Sequence, residues 1–150
     1  ACVIEVGLGG RLDATNMIDQ PAACGIAALG IDHEAFLGSD PAGIGREKAG
    51  IARPGRPIVT MNYPPRVNDA VAAMVDSRGG MLLREGRDWH FAPTAEGLRV
   101  AIDGRQVNAA LPALAGPHQC ANAALAIAML MAQRVVPVSD AALMTAPELA

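Results

Sequence analysis

The stretch from Pro57 to Gly80 does most to restrict what this chain can fold into. Pro57-Ile58-Val59-Thr60-Met61 is a short apolar run after a Pro54-Gly55 turn. Pro64-Pro65 then opens a segment in which Val67, Ala70, Val71, Met74 and Val75 recur at helical spacing, stopping at Gly79-Gly80. Strand, loop and helix in that order predict parallel-sheet units with flanking helices, an α/β fold. Two further apolar runs fit the scheme. Cys2-Val3-Ile4-Glu5-Val6 reads as a strand broken by Gly7-Leu8-Gly9-Gly10, and Ala22 to Leu29 reads as a strand ending at Gly30-Ile31-Asp32-His33. Each delivers polar groups to the loop beyond its carboxyl end.

From Met81 to Val107 short runs alternate with turn residues, and Asp103-Gly104 between Val100-Ala101-Ile102 and Arg105-Gln106-Val107 is a two-residue hairpin signal. A small antiparallel β region attached to the α/β core is expected. Gly116-Pro117-His118 leads into an Ala-rich helix over about His118 to Gln133, and Ser139-Asp140 is a candidate N-cap for another helix.

Aromatic residues make up 3% of the chain, so Ala, Val, Ile, Leu and Met must fill the core and stacking platforms for bases are scarce. The net charge of −3, without a Lys/Arg run, gives no electrostatic footprint for nucleic acid. The longest apolar stretch, Ala123 to Ala132, is well short of the ~20 residues that span a bilayer. The expectation is a cytoplasmic protein with neither nucleic-acid nor membrane partners. Cys2, Cys24 and Cys120 are odd in number and far apart, which predicts buried reduced thiols.

The glycine cluster fails the G-x-G-x-x-G pattern, because Leu12 stands at the third glycine position, and no G-x-x-x-x-G-K-[ST] occurs. By pattern alone it is a tight turn, yet Glu5 before it and Arg11, Asp13, Thr15 and Asn16 after it are more polar groups than a turn needs. His33 beside Asp32 reads as a packed or surface residue, or as a metal ligand. Lys48, with Gly50 as C-cap, reads alone as a solvated helix lysine. Asn122 lies one turn into the helix opened by His118 and Gln119, whose N-terminus suits polar ligands; simple capping is the other reading.

Taken together these segments resemble the central domain of the folylpolyglutamate synthase and dihydrofolate synthase family, within the ATP-dependent Mur-type amide ligases. The resemblance runs over Ile4-Glu5-Val6-Gly7-Leu8-Gly9-Gly10-Arg11-Leu12-Asp13-Ala14-Thr15-Asn16. It continues, in the family's order, through Leu29-Gly30-Ile31-Asp32-His33, Arg46-Glu47-Lys48-Ala49-Gly50-Ile51-Ala52-Arg53-Pro54-Gly55, and Gly116-Pro117-His118-Gln119 with Asn122-Ala123-Ala124.

The resemblance implies a P-loop-NTPase-like parallel sheet. It implies Glu5 and His33 as magnesium ligands, joined by Lys48 as a carbamylated lysine, so that Lys48 and His33 serve catalysis. Leu12, Asp13 and Ala14 would contact the pteridine-bearing substrate, and Asn122, flanked by His118 and Gln119, would contact ATP. The implied reaction adds L-glutamate to dihydropteroate, to folates, or to both, through an acyl phosphate, in a full-length enzyme that is a monomer. A Mur-type cell-wall ligase and a non-catalytic nucleotide-binding domain are the alternatives.

In the family the phosphate-binding loop lies upstream of the signature and a further domain lies downstream. The resemblance therefore implies a partial central domain over 1–136 and the start of a connection over 137–150. Ligation by this segment alone is not expected, and Cys2 to Val6 is expected to leave an open strand edge. Pro41, Gly43 and Gly45 are expected to loosen the helix that carries Lys48.

Overall fold

A computed structural model describes residues 2–30, 40–145 and 147. Strands β1 (Cys24–Ile26), β2 (Pro57–Thr60) and β3 (Met81–Arg84) form a parallel sheet in the order β1-β2-β3. Ile58 sits opposite Cys24 on one side and Leu82 on the other. Every residue of β2 is buried, as a central strand covered on both faces should be. Ile58 belongs to one hydrophobic cluster with Val67, Val71 and Val75, and Val59 to a second with Trp89, Val100 and Ala128.

Helices α1 (Pro41–Ala49) and α2 (Pro65–Ser77) pack against each other. On α2 the expected stripe is buried at Val67, Ala70, Val71 and Val75, with Met74 at its margin. A cap and a close helix contact stand against the weakening expected of Pro41, Gly43 and Gly45 in α1. Asp40 caps α1 by accepting from the N–H groups of Ala42 (3.3 Å) and Gly43 (3.2 Å). Pro41 stands at the first helical position, where no N–H is needed. A Cβ at Gly45 would meet Val67 Cγ1 at 3.0 Å and Val71 Cγ2 at 3.1 Å, so this glycine sets how closely α1 approaches α2.

Strands β4 (Trp89–Thr94), β5 (Gly97–Ile102) and β6 (Arg105–Ala109) form the antiparallel sheet. At the β5–β6 turn Asp103 and Gly104 have φ of 51° and 73°, as a two-residue primed turn demands. Helix α3 (Pro117–Ala132) packs on both β2 and β5. Trp89, fully buried, donates its indole N–H to the Thr60 carbonyl at 3.1 Å and ties the two sheets together. Helix α4 (Asp140–Thr145) covers β6, with Ser139 Oγ accepting from Ala142 N at 3.2 Å as its cap.

Two expectations need correction. Residues 2–6 form no strand: Val3 is fully exposed and Ile4 about half exposed. A strand is satisfied only by a neighbour's backbone groups, and no described segment pairs with this one, so it presents no strand edge. Cys2 is exposed rather than buried, and Cys24 and Cys120 are half-buried; none is in a disulfide. Burial pushes the Cys24 thiol upward, the nearby Arg53 opposing it, and its Sγ meets the Ile51 carbonyl at 3.6 Å.

Candidate functional site

Residues 7–16 form a compact loop built around Asp13. Its Oδ1 accepts from Thr15 N at 2.8 Å and Thr15 Oγ1 at 2.6 Å, and its Oδ2 accepts from Leu8 N at 3.0 Å. Asp13 thereby caps a single 3-10 turn, Ala14–Met17. These donors, the Thr15 hydroxyl first, hold the Asp13 carboxyl down at about 2.

The loop is seated on the C-terminal end of α1. Arg11 N donates to Glu47 O at 3.0 Å, and Arg11 Nε donates to Glu47 Oε2 at 3.0 Å. Asn16 Nδ2 donates to Arg11 O at 2.8 Å and reaches Gly50 O at 3.4 Å. Arg53 donates to the carbonyls of Asn16 and Ile18 and holds the far end of the loop. Glycines make this fit possible. A Cβ at Gly10 would lie 2.9 Å from the carbonyl oxygens of both Glu47 and Lys48, and one at Gly50 would lie 2.4 Å from Arg11 Cβ.

Between loop and helix is an open concavity of about 510 Å³, walled by Leu12, Asp13, Ala14, Arg11, Gly43 and Glu47. Its outer wall is greasy, since Leu12 is 79% exposed. The structure thus brings Leu12, Asp13 and Ala14 together on one cavity, above the helix that carries Lys48. Lys48 is half-buried in the last turn of α1, the end whose dipole attracts positive charge.

The other expected site residues are placed separately. Glu5 is exposed on the irregular segment before the loop. His33 lies outside the described residues. His118 and Asn122 are exposed and Gln119 half-buried at the N-terminus of α3. Gly116, the N-cap, offers no side chain, and Asn122 Nδ2 bonds Gln119 Oε1 at 3.3 Å. Gln119 therefore meets its neighbour on the helix rather than capping the end. Among the described residues no three His, Cys, Asp or Glu side chains gather round a point. Magnesium is usually held by one or two carboxylates plus substrate phosphates rather than by a protein cage, so Glu5 is of the right donor type and unmodified Lys48 is not.

Sequence reasoning did not single out Arg11 and Glu47 as a pair, nor Arg53 as the loop's anchor. Opposite charges on two motifs were visible, but their 36-residue separation leaves the pairing to the fold.

No family model matches the chain. It is 37% identical over 131 residues to the dihydrofolate synthase/folylpolyglutamate synthase of Escherichia coli (strain K12), covering 87% of this chain and 29% of that protein. It is 39% identical over 132 residues to the folylpolyglutamate synthase of Lacticaseibacillus casei, covering 83% and 30%. Among solved structures, E. coli FolC in complex with DHPP and ADP superposes with TM-score 0.79 at 34% identity, covering 93% of this chain and 32% of that one. A bifunctional folylpolyglutamate synthase/dihydrofolate synthase with Mn, AMPPNP and L-glutamate bound gives TM-score 0.76 at 36% identity, covering 95% and 34%. The chain spans less than a third of the length of the curated relatives named here.

The parallel sheet with its helices and the separate antiparallel sheet are part of a Mur-ligase-type fold. Within that class the chain belongs to the folylpolyglutamate synthase/dihydrofolate synthase family, as a segment of it.

Proposed function

We propose that this segment is part of an ATP-dependent ligase that adds L-glutamate to dihydropteroate, to folates, or to both. The observation that supports it most is the cavity walled by Leu12, Asp13 and Ala14 and clasped to the helix carrying Lys48. The Leu12 and Ala14 side chains offer apolar contact to a flat heterocycle. Asp13 keeps lone-pair capacity on Oδ2, which accepts one hydrogen bond within the loop.

In the reaction a substrate carboxylate oxygen attacks the γ-phosphorus of ATP and ADP leaves. The amine of glutamate then attacks the acyl carbon, phosphate departs, and the nitrogen loses a proton. Magnesium, when bound, neutralises charge on the transferring phosphoryl group. Glu5, His33 and Lys48 are the residues to hold it, Lys48 as a carbamate in which carbon dioxide on the amine supplies an anionic oxygen. Asn122, with His118 and Gln119, faces ATP from the N-terminus of α3, whose partial positive charge suits a nucleotide. Residues 1–136 form part of the central domain and 137–150 begin a connection to the next. The whole enzyme is a cytoplasmic monomer without nucleic-acid or membrane partners; among the described residues no helix is long and apolar enough to cross a membrane.

The test uses the full chain containing this segment, assayed for phosphate release with ATP, L-glutamate and either dihydropteroate or a folate. Glu5→Ala and His33→Ala should each abolish release while thermal unfolding stays unchanged. Lys48→Ala should lose activity that short carboxylic acids partly restore. Undiminished turnover in Glu5→Ala or His33→Ala overturns the metal assignment, and full activity of Lys48→Ala without additives overturns the carbamate.

A further inference from the structure

We infer that Arg11 and Glu47 are a positioning pair that fixes the distance between the substrate cavity and Lys48; this rests on the ligase reading above. The pair makes a double attachment between the same two residues, backbone to backbone and side chain to side chain, each at 3.0 Å. Arg11 directly precedes Leu12, Asp13 and Ala14, and Glu47 directly precedes Lys48. One attachment therefore sets both functional groups.

Stability does not account for it. The two side chains are 44% and 24% exposed, and ion pairs so open to water contribute little to folding. Adhesion of the loop is already secured elsewhere, by Asn16 on Gly50 and by Arg53 on Asn16 and Ile18. Both charged side chains instead form a wall of the cavity. Glu47 accepts from Nε of the guanidinium, and this bond restrains the long arginine side chain at the cavity wall. Without Glu47, the long Arg11 side chain regains its rotamers and is able to swing into the space the acceptor needs. Without Arg11, Glu47 leaves an uncompensated carboxylate on the cavity that Asp13 also lines, facing an acceptor that brings its own.

The experiment takes the full chain with Arg11→Gln, Glu47→Gln and the exchanged pair Arg11→Glu/Glu47→Arg. Steady-state kinetics would be run against the acceptor and against ATP, with hydrogen exchange over residues 8–16. Each single variant should raise KM for the acceptor about tenfold, leave KM for ATP and the thermal midpoint in place, and speed exchange at Leu12 to Asn16. The exchanged pair should recover most of the acceptor KM. An unchanged acceptor KM in both single variants overturns the proposal, and so does an exchanged pair no better than either single change. If the unaltered full chain forms no amide, the ligase reading fails instead; exchange then decides the clasp, and rates unaltered in both single variants overturn it.

Discussion

Asp13 shows how much of the site is decided by a single side chain. Its carboxyl, near 3.8 in an unfolded chain, is held at about 2 by the Thr15 hydroxyl, the Thr15 amide and the Leu8 amide. A carboxyl lowered on folding stabilises the loop fully above its unfolded value; that contribution fades as pH falls from about 3.8 towards 2. Thr15→Val removes the strongest of these donors and leaves both amides. The Asp13 carboxyl, followed by NMR titration, should then move upward from about 2 towards 3.8; no movement would mean that the hydroxyl bond is not made. Gly50 is the steric counterpart. Its φ of −62° suits any residue, but a Cβ would sit 2.4 Å from Arg11 Cβ. Gly50→Ala should therefore push the loop off α1 and lower the unfolding free energy by about 1–3 kcal/mol, as overpacking does. Urea unfolding with an unchanged midpoint would show that the gap closes without strain.

At the scale of elements, the turn chemistry carries the firmest expectation. Gly104 at φ 73° closes the β5–β6 hairpin in a conformation that other residues adopt only at a penalty of about 1–2 kcal/mol. Gly104→Ala should lower stability by that amount, while Asp103→Asn, which keeps a residue tolerant of positive φ, should be nearly neutral. Denaturant midpoints of the two variants compare them directly. This hairpin was legible in the sequence because its signal is local, as were β2, the stripe on α2 and the span of α3, each set by neighbours a few residues apart. Cys2 to Val6 carried an equally good local signal and formed no strand, since pairing requires a partner that local pattern cannot supply. The site divides the same way. Leu12, Asp13 and Ala14 were marked by the resemblance and do share a cavity. The ion pair behind them was hidden, because it joins residues 36 apart in the chain. Gly45 has a role that the sequence hides for a related reason: helix propensity counts a glycine as a weakness, whereas Val67 and Val71 lie where its Cβ would be.

For the whole molecule, the central strand makes two cores into one folding unit. Ile58 and Val59 are consecutive and fully buried, yet they serve different clusters, with α2 on one face of the sheet and α3 with the antiparallel sheet on the other. Met61 packs against both clusters, and Trp89 reaches across to the Thr60 carbonyl. Neither core can lose its strand without exposing the other. The chain carries its own reporters: the sole tryptophan, Trp89, lies in one cluster and the sole tyrosine, Tyr63, in the other. Tyr63 is held there by its hydroxyl, whose single proton is shared between the carbonyls of Ile26 and Ala27, each at 2.8 Å. Selective excitation of the indole and the ring resonances of Tyr63 should therefore report a single denaturant midpoint. Ile58→Ala removes side-chain volume only from the Tyr63 cluster and should cost about 2–5 kcal/mol. If β2 couples the cores, that variant shifts the Trp89 transition by the same amount as the Tyr63 transition. A Trp89 midpoint that stays in place while Tyr63 moves would mean that the antiparallel sheet and α3 fold as a unit of their own, with β2 merely resting against them.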